Sequence, residues 1–326
     1  MTDRNRKSQA LWITGSGNCE LRVTDLPECA AGEVVVSTLY SAVSRGTESL
    51  VFSGGVPADV ASLMRAPHQE GEFPWPVKYG YCNVGRVTSG PAELLGRAVF
   101  TLYPHQDLFA VPGEVVTLIP DSVPLERAAL AANMETALNA VWDAKVKAGD
   151  RVTIVGGGVV GCLVAFLASG YPGTEVELVD VEPSRAAVAA ELGCAFRRPA
   201  EASGGRDVVF HASACSSGLE TALSVAGQEA ELVELSWYGD QPVSAPLGLH
   251  FHPRRLRIRC SQVGQLPAEQ KARWSYKRRL RKALELCEAP ELDCLISSRT
   301  PFMQLASAYS GLLGGGGLCH LVVYDQ

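Results

Sequence analysis

Gly156, Gly158 and Gly161, followed by a carboxylate at Asp180, form the spacing in this chain with the most chemical content. They stand in Val152-Thr-Ile-Val-Gly156-Gly-Gly158-Val159-Val160-Gly161 and Val176-Glu-Leu-Val-Asp180, which reads as strand, glycine turn, helix and second strand. Each part suits one task in holding a dinucleotide. Gly156 permits the tight turn, Gly158 lets backbone approach a pyrophosphate, and Gly161 lets the helix pack close to the sheet. The helix start at Val159 and Val160 offers unpaired N–H groups and a positive dipole end to the phosphates. Asp180, 19 residues after Gly161, suits a ribose 2′-hydroxyl. Three successive glycines also suit a merely flexible turn. The flanks favour binding: Arg151–Val155 is β-branched and Cys162–Ala168 is an apolar helix.

Other residues carry acid–base chemistry with a plain alternative beside each. His105, on a loop after a strand, offers an imidazole that titrates near neutrality and can shuttle a proton; a solvent-exposed turn histidine is the plainer reading. Glu48 stands close enough to Arg45 for a simple ion pair. Glu135, in Asn133-Met-Glu135-Thr136, either faces a cleft or caps a helix. From Arg254 to Lys282 there are eleven Lys/Arg residues and one acid, Glu269. That asymmetry reads as a solvated helix face or as an attractor for an anionic substrate or cofactor phosphate. Basic and aromatic residues are not interleaved there as a nucleic-acid stacking platform requires.

The elements that must position these groups follow from the pattern of the whole chain. At 326 residues two domains are expected. With 47% apolar and 20% charged residues and a net charge of −6, the composition is that of an ordinary globular protein with no global pull toward nucleic acid. Residues 1–125 hold short β-branched runs (Glu33–Leu39, Val84–Thr88, Arg97–Tyr103, Glu114–Ile119) punctuated by Gly and Pro, the pattern of a small β-barrel-like domain. Leu125–Ala144 has apolar residues at helical spacing. Strands at 151–155, 175–180, 207–212 and 230–236 then alternate with helices at 159–169, 183–192 and 217–226, which predicts a parallel sheet with right-handed crossovers. A strand at Leu256–Cys260, with one buried face, and a charged helix over Ala268–Cys287 complete the expected elements. Ten cysteines form no CxxC pair, the start is polar without an apolar leader core, and no apolar stretch is long enough to span a bilayer. A reduced cytoplasmic protein with free thiols, not bound to membrane, is the economical expectation.

The layout resembles the medium-chain dehydrogenase/reductase superfamily, in which a GroES-like domain is completed by a returning tail around a Rossmann unit. The resemblance is carried by the glycine motif, Asp180 with Arg185, Ala190-Glu-Leu-Gly193, Asp207-Val-Val-Phe-His-Ala212 and Leu256-x-Ile-x-x-Ser261-x-Val-Gly264. Ser44-Arg-Gly-Thr-Glu48, Val56-Pro57 and Gly80-Tyr-x-x-x-Gly85 resemble a zinc-lacking branch that includes bacteriochlorophyllide 3-hydroxyethyl dehydrogenase. The resemblance implies an α/β fold with a GroES-like catalytic domain over 1–125, a doubly wound Rossmann domain over 126–262, and a return segment over 263–326. It implies that Ser44, Tyr81 and Ala132 stand where zinc enzymes carry ligands, so that no metal site is expected. Tyr81 then becomes the first candidate to donate to a developing alkoxide; the alternative is a ring packed against Gly80 and Gly85. Thr47 matches a proton-relay hydroxyl one residue late, and Thr136 a threonine beside the nicotinamide. Ser213 and Ser236, at the ends of later strands, complete the cofactor set.

These expectations amount to a zinc-independent NAD(P)(H) oxidoreductase working in a cleft between two domains. It moves a hydride between nicotinamide and a secondary alcohol or carbonyl of a sizeable substrate, anionic if the basic segment attracts it. Asp180 favours NAD(H) over NADP(H). Two other readings stay open: an NADPH-dependent quinone or enoyl reductase, and a non-catalytic NAD(H)-binding sensor or structural protein. A homodimer paired through the Leu256–Cys260 edge is expected, the alternative being a monomer whose edge Arg257 and Arg259 shield; no nucleic-acid or membrane partner is.

Overall fold

The computed structural model describes residues 7–26 and 29–325, which divide into two compact units. One comprises the described residues up to 132, with 280–288 and 296–325; the other comprises 133–279 and 289–295.

In the second unit Arg151–Val155 is a strand buried beyond its first residue, as β-branched residues favour when both faces are covered. It lies at the centre of a six-stranded sheet. Glu175–Val179 and then Ala195–Arg197 add on one side; Arg206–His211, Ala226–Glu234 and Arg257–Cys260 add on the other. All five pairings are parallel. In chain order the strands run 3-2-1-4-5-6, so the order reverses between Arg151–Val155 and Arg206–His211. Such a reversal opens a crevice at the strands' carboxyl ends. The helix Ser216–Val225 buries Leu219, Ala222 and Leu223 among Val209, Leu232 and Leu256, one contiguous core.

The first unit is built mainly on antiparallel pairing, with one parallel pair between Ile296–Pro301 and Cys319–Val323. A seven-stranded sheet has Glu33–Val43 near its middle, flanked by Asn83–Ser89 and by Cys319–Val323. The latter pairs His320–Val323 with Val43–Tyr40, so a late segment closes an early sheet. A four-stranded sheet centres on Lys7–Gly15. Val34, Val36, Val87, Val99, Phe109 and Val111 form the core between strands, where inward positions alternate. Gly85 is needed in this sheet: a Cβ there would lie 2.4 Å from the Val36 side chain.

Three expected elements come out differently. The apolar run at 125–144 is two helices, Leu125–Ala128 and Ala131–Ala144. The charged helix is only Tyr276–Leu286. Its true start is set by Ser275, whose hydroxyl accepts from the Arg278 amide at 3.2 Å, while the turn after Pro267 occupies the preceding residues. The Arg257–Cys260 strand has no buried face: Leu256 just before it is buried, but Ile258 is 42% exposed and Cys260 is exposed too. It is the open edge of the sheet. All ten cysteines are free, and among the described residues no helix is long and apolar enough to cross a membrane.

Candidate functional site

The glycine turn sits at the crevice of the parallel sheet. Gly156 has φ +112°, and a Cβ on it would lie 2.6 Å from the Ala212 carbonyl carbon and the Ser213 nitrogen. A Cβ on Gly161 would lie 1.9 Å from the Gly156 oxygen. Around Gly158 there is open space, and no side chain caps the helix Val159–Ser169 that begins there. The first amides of Val159, Val160 and Gly161 thus have no capping side chain, the arrangement that accepts phosphate. Asp180 follows the second strand. Its Oδ2 accepts from the Gly157 amide at 2.6 Å and its Oδ1 from the Glu182 amide at 2.8 Å. The two backbone bonds fix the carboxylate and leave lone pairs for a hydroxyl donor. Arg185 is buried, with its stem against the Gly157 position. Ser236 accepts the Ala214 amide at 3.1 Å, which ties the loop after Ser213 to the next strand's end.

In the first unit, sequence-distant polar residues meet beneath the helix Arg45–Ser53. Tyr81 donates to the Ser44 hydroxyl, with Thr47 as a second hydroxyl neighbour. The half-buried Tyr81 ring meets Tyr79 edge-on at 6.1 Å. Gly80 makes room for His105, whose ring carbon would lie 2.9 Å from a Cβ there. Burial is the main cause that pushes the Tyr81 phenol up, with Cys82 and Glu48 adding to it against the Ser44 and Thr47 hydrogen bonds. The phenol therefore keeps its proton, which suits a donor.

Glu48 is fully buried and does not pair with Arg45, whose guanidinium bonds the carbonyls of Gly315 and Gly317. Its Oε1 accepts the Ser44 amide at 2.7 Å; its Oε2 takes the Tyr309 hydroxyl and lies 3.0 Å from His105 Nε2. His105 is 1% exposed rather than on an open turn, and its Nδ1 meets the Ser41 hydroxyl at 2.7 Å. Ser41 in turn meets Tyr324 at 2.9 Å. Burial alone would raise the Glu48 carboxyl, but the His105 charge and the bonds from His105, Tyr309 and Ser44 hold it below the usual carboxylate range. Tyr81, Thr47, Glu48 and His105 are thus brought together through Ser44.

Glu135 and Thr136 stand on the helix Ala131–Ala144, in the second unit. Glu135 is no free base: Arg279 Nε meets it at 2.9 Å, with both side chains nearly buried, and also bonds Asn139 and the Val263 carbonyl. The basic segment is largely spent on local partners. Arg254 holds the Ser224 and Ala226 carbonyls, Arg255 and Arg259 pair with Glu229 and Glu231, and Arg278 stacks on Trp274.

Sequence reasoning missed Tyr309, Ser41 and Tyr324, which reach the site only through tertiary pairing. It also missed a cluster at the carboxyl ends of Arg206–His211 and Ala226–Glu234. There His211 and Glu234 stand in register, with Ser213, Cys215 and Tyr238 around them.

No family model matches the chain. A 2-dehydro-3-deoxy-L-galactonate 5-dehydrogenase from Pseudoalteromonas atlantica is 26% identical over 223 residues, 64% of this chain and 61% of that protein. An uncharacterized zinc-type alcohol dehydrogenase-like protein from Haemophilus influenzae is 26% identical over 40% of this chain and 42% of its own length. The chain's matches thus span less than two thirds of these relatives. The solved structure of 2R,3R-butanediol dehydrogenase from Bacillus subtilis superposes with a TM-score of 0.78 over 98% of this chain and all of that one, at 18% identity. The fold is accordingly a GroES-like β-rich unit plus a Rossmann unit. Glycine cradle, sheet order and relatives agree: the chain is similar in sequence to zinc-type alcohol dehydrogenase-like medium-chain dehydrogenases and shares the fold of solved members.

Proposed function

We propose that this protein is a zinc-independent, NAD(H)-dependent oxidoreductase that interconverts a secondary alcohol and a carbonyl. The observation that carries the reading is the Ser44–Tyr81 hydroxyl pair, two residues that by the family resemblance stand where zinc enzymes carry ligands. Two hydroxyls and the methyl of Ala132 are not a tetrahedral zinc donor set. Among the described residues no three His, Cys, Asp or Glu side chains group to hold a metal. The reading departs here from relatives whose names are zinc-type, and it belongs with the zinc-lacking branch.

The Gly156–Gly161 cradle fits a dinucleotide. Gly158 and the amides of Val159–Gly161 would take the pyrophosphate, and Asp180 the ribose 2′-hydroxyl, with Ser213 and Ser236 at the rim. Bound there, nicotinamide supplies or accepts the hydride. Asp180 repels a 2′-phosphate, which favours NAD(H).

The chain's own residues handle the proton. Tyr81 holds it on Oη and donates to the substrate oxygen; Ser44 Oγ and Thr47 replace that proton and steady the phenol. Glu48 fixes Ser44 through its backbone amide and is itself held by His105 and Tyr309, so the pair positions the donor without touching substrate. The sugar-acid and diol names of the relatives support an alcohol substrate. The basic segment is largely held by local partners and does not call for an anionic one.

Pairing of two copies through the Arg257–Cys260 edge is part of the same reading, since an open edge with exposed Ile258 is otherwise an aggregation hazard. The deciding experiment is Tyr81→Phe, assayed by nicotinamide absorbance against a panel of secondary alcohols and ketones with elemental analysis of the same samples. Turnover should fall about 10²–10⁴-fold with NAD(H) affinity unchanged. Full activity in the variant, or one zinc per chain lost together with activity on chelation, refutes the assignment.

A further inference from the structure

The cluster at the carboxyl ends of Arg206–His211 and Ala226–Glu234 has a directional order. Glu234 Oε2 lies 2.7 Å from His211 Nδ1. His211 Nε2 lies 2.6 Å from Ser213 Oγ, and Ser213 Oγ lies 3.3 Å from Cys215 Sγ. Tyr238 donates to the same Glu234 oxygen at 3.1 Å. His211 is fully buried while Cys215 is exposed, so the chain of contacts runs from the interior to solvent and ends on sulfur.

The local backbone is shaped around this chain. A Cβ on Gly218 would lie 1.9 Å from Ser213 Oγ and 2.8 Å from His211 Nε2, so only glycine there lets the two sit under the first turn of the helix Ser216–Val225. Ala214, a non-glycine residue at φ +53°, turns the chain so that Cys215 becomes the residue before that helix. Ser217 Oγ lies 3.4 Å from the sulfur on its other side. The chemical contrast within the protein is sharp. Burial raises the other nine thiols. At Cys215 burial also raises, but hydrogen bonds from Ser213, Ser217 and the Gly218 amide outweigh it and hold the thiol below its usual range.

We propose that Cys215 is a reactive thiol, deprotonated through Ser213 onto the His211–Glu234 pair, that exchanges with low-molecular-weight disulfides and thereby closes the dinucleotide cradle. The thiol proton passes to Ser213 Oγ as the Ser213 proton passes to His211 Nε2, which leaves a thiolate opposite an imidazolium–carboxylate pair. The thiolate attacks one sulfur of the disulfide; the new S–S bond forms, the old one breaks, and the other sulfur departs as thiolate with the bonding pair. The proton on His211 returns to solvent, and an added thiol reverses the exchange. Coupling to the cradle rests on the dinucleotide reading. The loop that carries the sulfur abuts the glycine turn, since a Cβ on Gly156 would strike Ala212 and Ser213.

The test uses the full chain and 5,5′-dithiobis(2-nitrobenzoate), with released thiolate followed by absorbance and the modified cysteine identified by peptide mass. One thiol should react in a fast phase that persists at pH 6, map to Cys215, and vanish in Cys215→Ser. Ser213→Ala, which leaves the His211–Glu234 pair intact, should slow that phase at least about tenfold and restore the pH dependence of an ordinary thiol. His211→Gln should do the same. A fast phase on the equally exposed Cys260, or a pH profile unchanged by Ser213→Ala, overturns the relay. Saturating NAD(H) should suppress labelling of Cys215. Labelling that proceeds unchanged while fluorescence shows NAD(H) bound overturns the coupling. Failure of NAD(H) to bind at all overturns the dinucleotide reading and the coupling with it, while the relay stands or falls on the pH profiles.

Discussion

Glu48→Ala tests whether the buried pair beneath the Arg45–Ser53 helix holds the first unit together. The substitution removes the acceptor of three donors at once: the Ser44 amide, the Tyr309 hydroxyl and His105 Nε2. Glu48 is fully buried and His105 is 1% exposed, so water does not replace the lost partner. Breaking one side of a buried charge pair costs about 3–5 kcal/mol. For a unit of this size each kcal/mol moves the melting temperature by roughly 2–4 °C, so a fall of roughly 6–20 °C is expected. Glu48→Gln keeps the volume and an oxygen for the Ser44 amide, and should lose clearly less. The pair's own share comes from the cycle of Glu48→Ala, His105→Ala and the double variant. The double variant should be more stable than the sum of the singles predicts, by about 0.5–3 kcal/mol. The assay is urea unfolding of the four proteins at one pH. A Glu48→Ala loss under about 1 kcal/mol, or strict additivity, refutes the reasoning.

Three further outcomes follow from geometry already described. Because Glu48 is held below its ordinary value of 4.5, its contribution is complete above that pH and fades as pH falls through the folded value. The stability of the native chain should therefore drop more steeply below pH 4.5 than that of Glu48→Gln, read by urea midpoints from pH 6 to 3; parallel curves contradict it. Gly161→Ala places a Cβ 1.9 Å from the Gly156 oxygen and should abolish NAD(H) binding or folding of the second unit, measured by fluorescence titration and circular dichroism. Native affinity in that variant means the helix is free to shift. Ile258→Asp puts a charge on the exposed edge strand and should convert a dimer to a monomer in light scattering. A native protein that is already monomeric removes the pairing.

The second unit was more legible than the first, for physical reasons. Its elements announce themselves locally: the β-branched strand Arg151–Val155, the glycines and the apolar helix Val159–Ser169 are contiguous and obey simple periods. What failed there were features set by tertiary context. Ile258 and Cys260 alternate with arginines as a half-buried strand should, yet the strand is an open edge in the isolated chain. The basic run reads as one helix by composition, while Pro267 and Ser275 delay its start to Tyr276. In the first unit the residues of the site were visible as types but not as neighbours. Glu48 stands beside Arg45 in sequence and was expected to pair with it; helix geometry and a buried imidazole gave it to His105 instead. Nothing local to Glu48 signals Tyr309, which lies 261 residues away.

That distance has a consequence for how the protein comes into being. Ser41 is joined to Tyr324, 283 positions later, and the strand that contains Ser41 takes its partner from Cys319–Val323. At about 5–20 residues per second, a ribosome makes the second partner roughly 15–55 s after the first. During that interval the residues of the Rossmann unit emerge in full and can fold, while Tyr40–Val43 presents one unpaired edge and Glu48 has no Tyr309. The nascent chain thus carries a finished glycine cradle before it has a finished Ser44–Tyr81–Glu48 cluster. A nascent-chain complex stalled just before residue 296 should therefore bind NAD(H) and resist proteolysis across 151–260, yet be cleaved within 33–53.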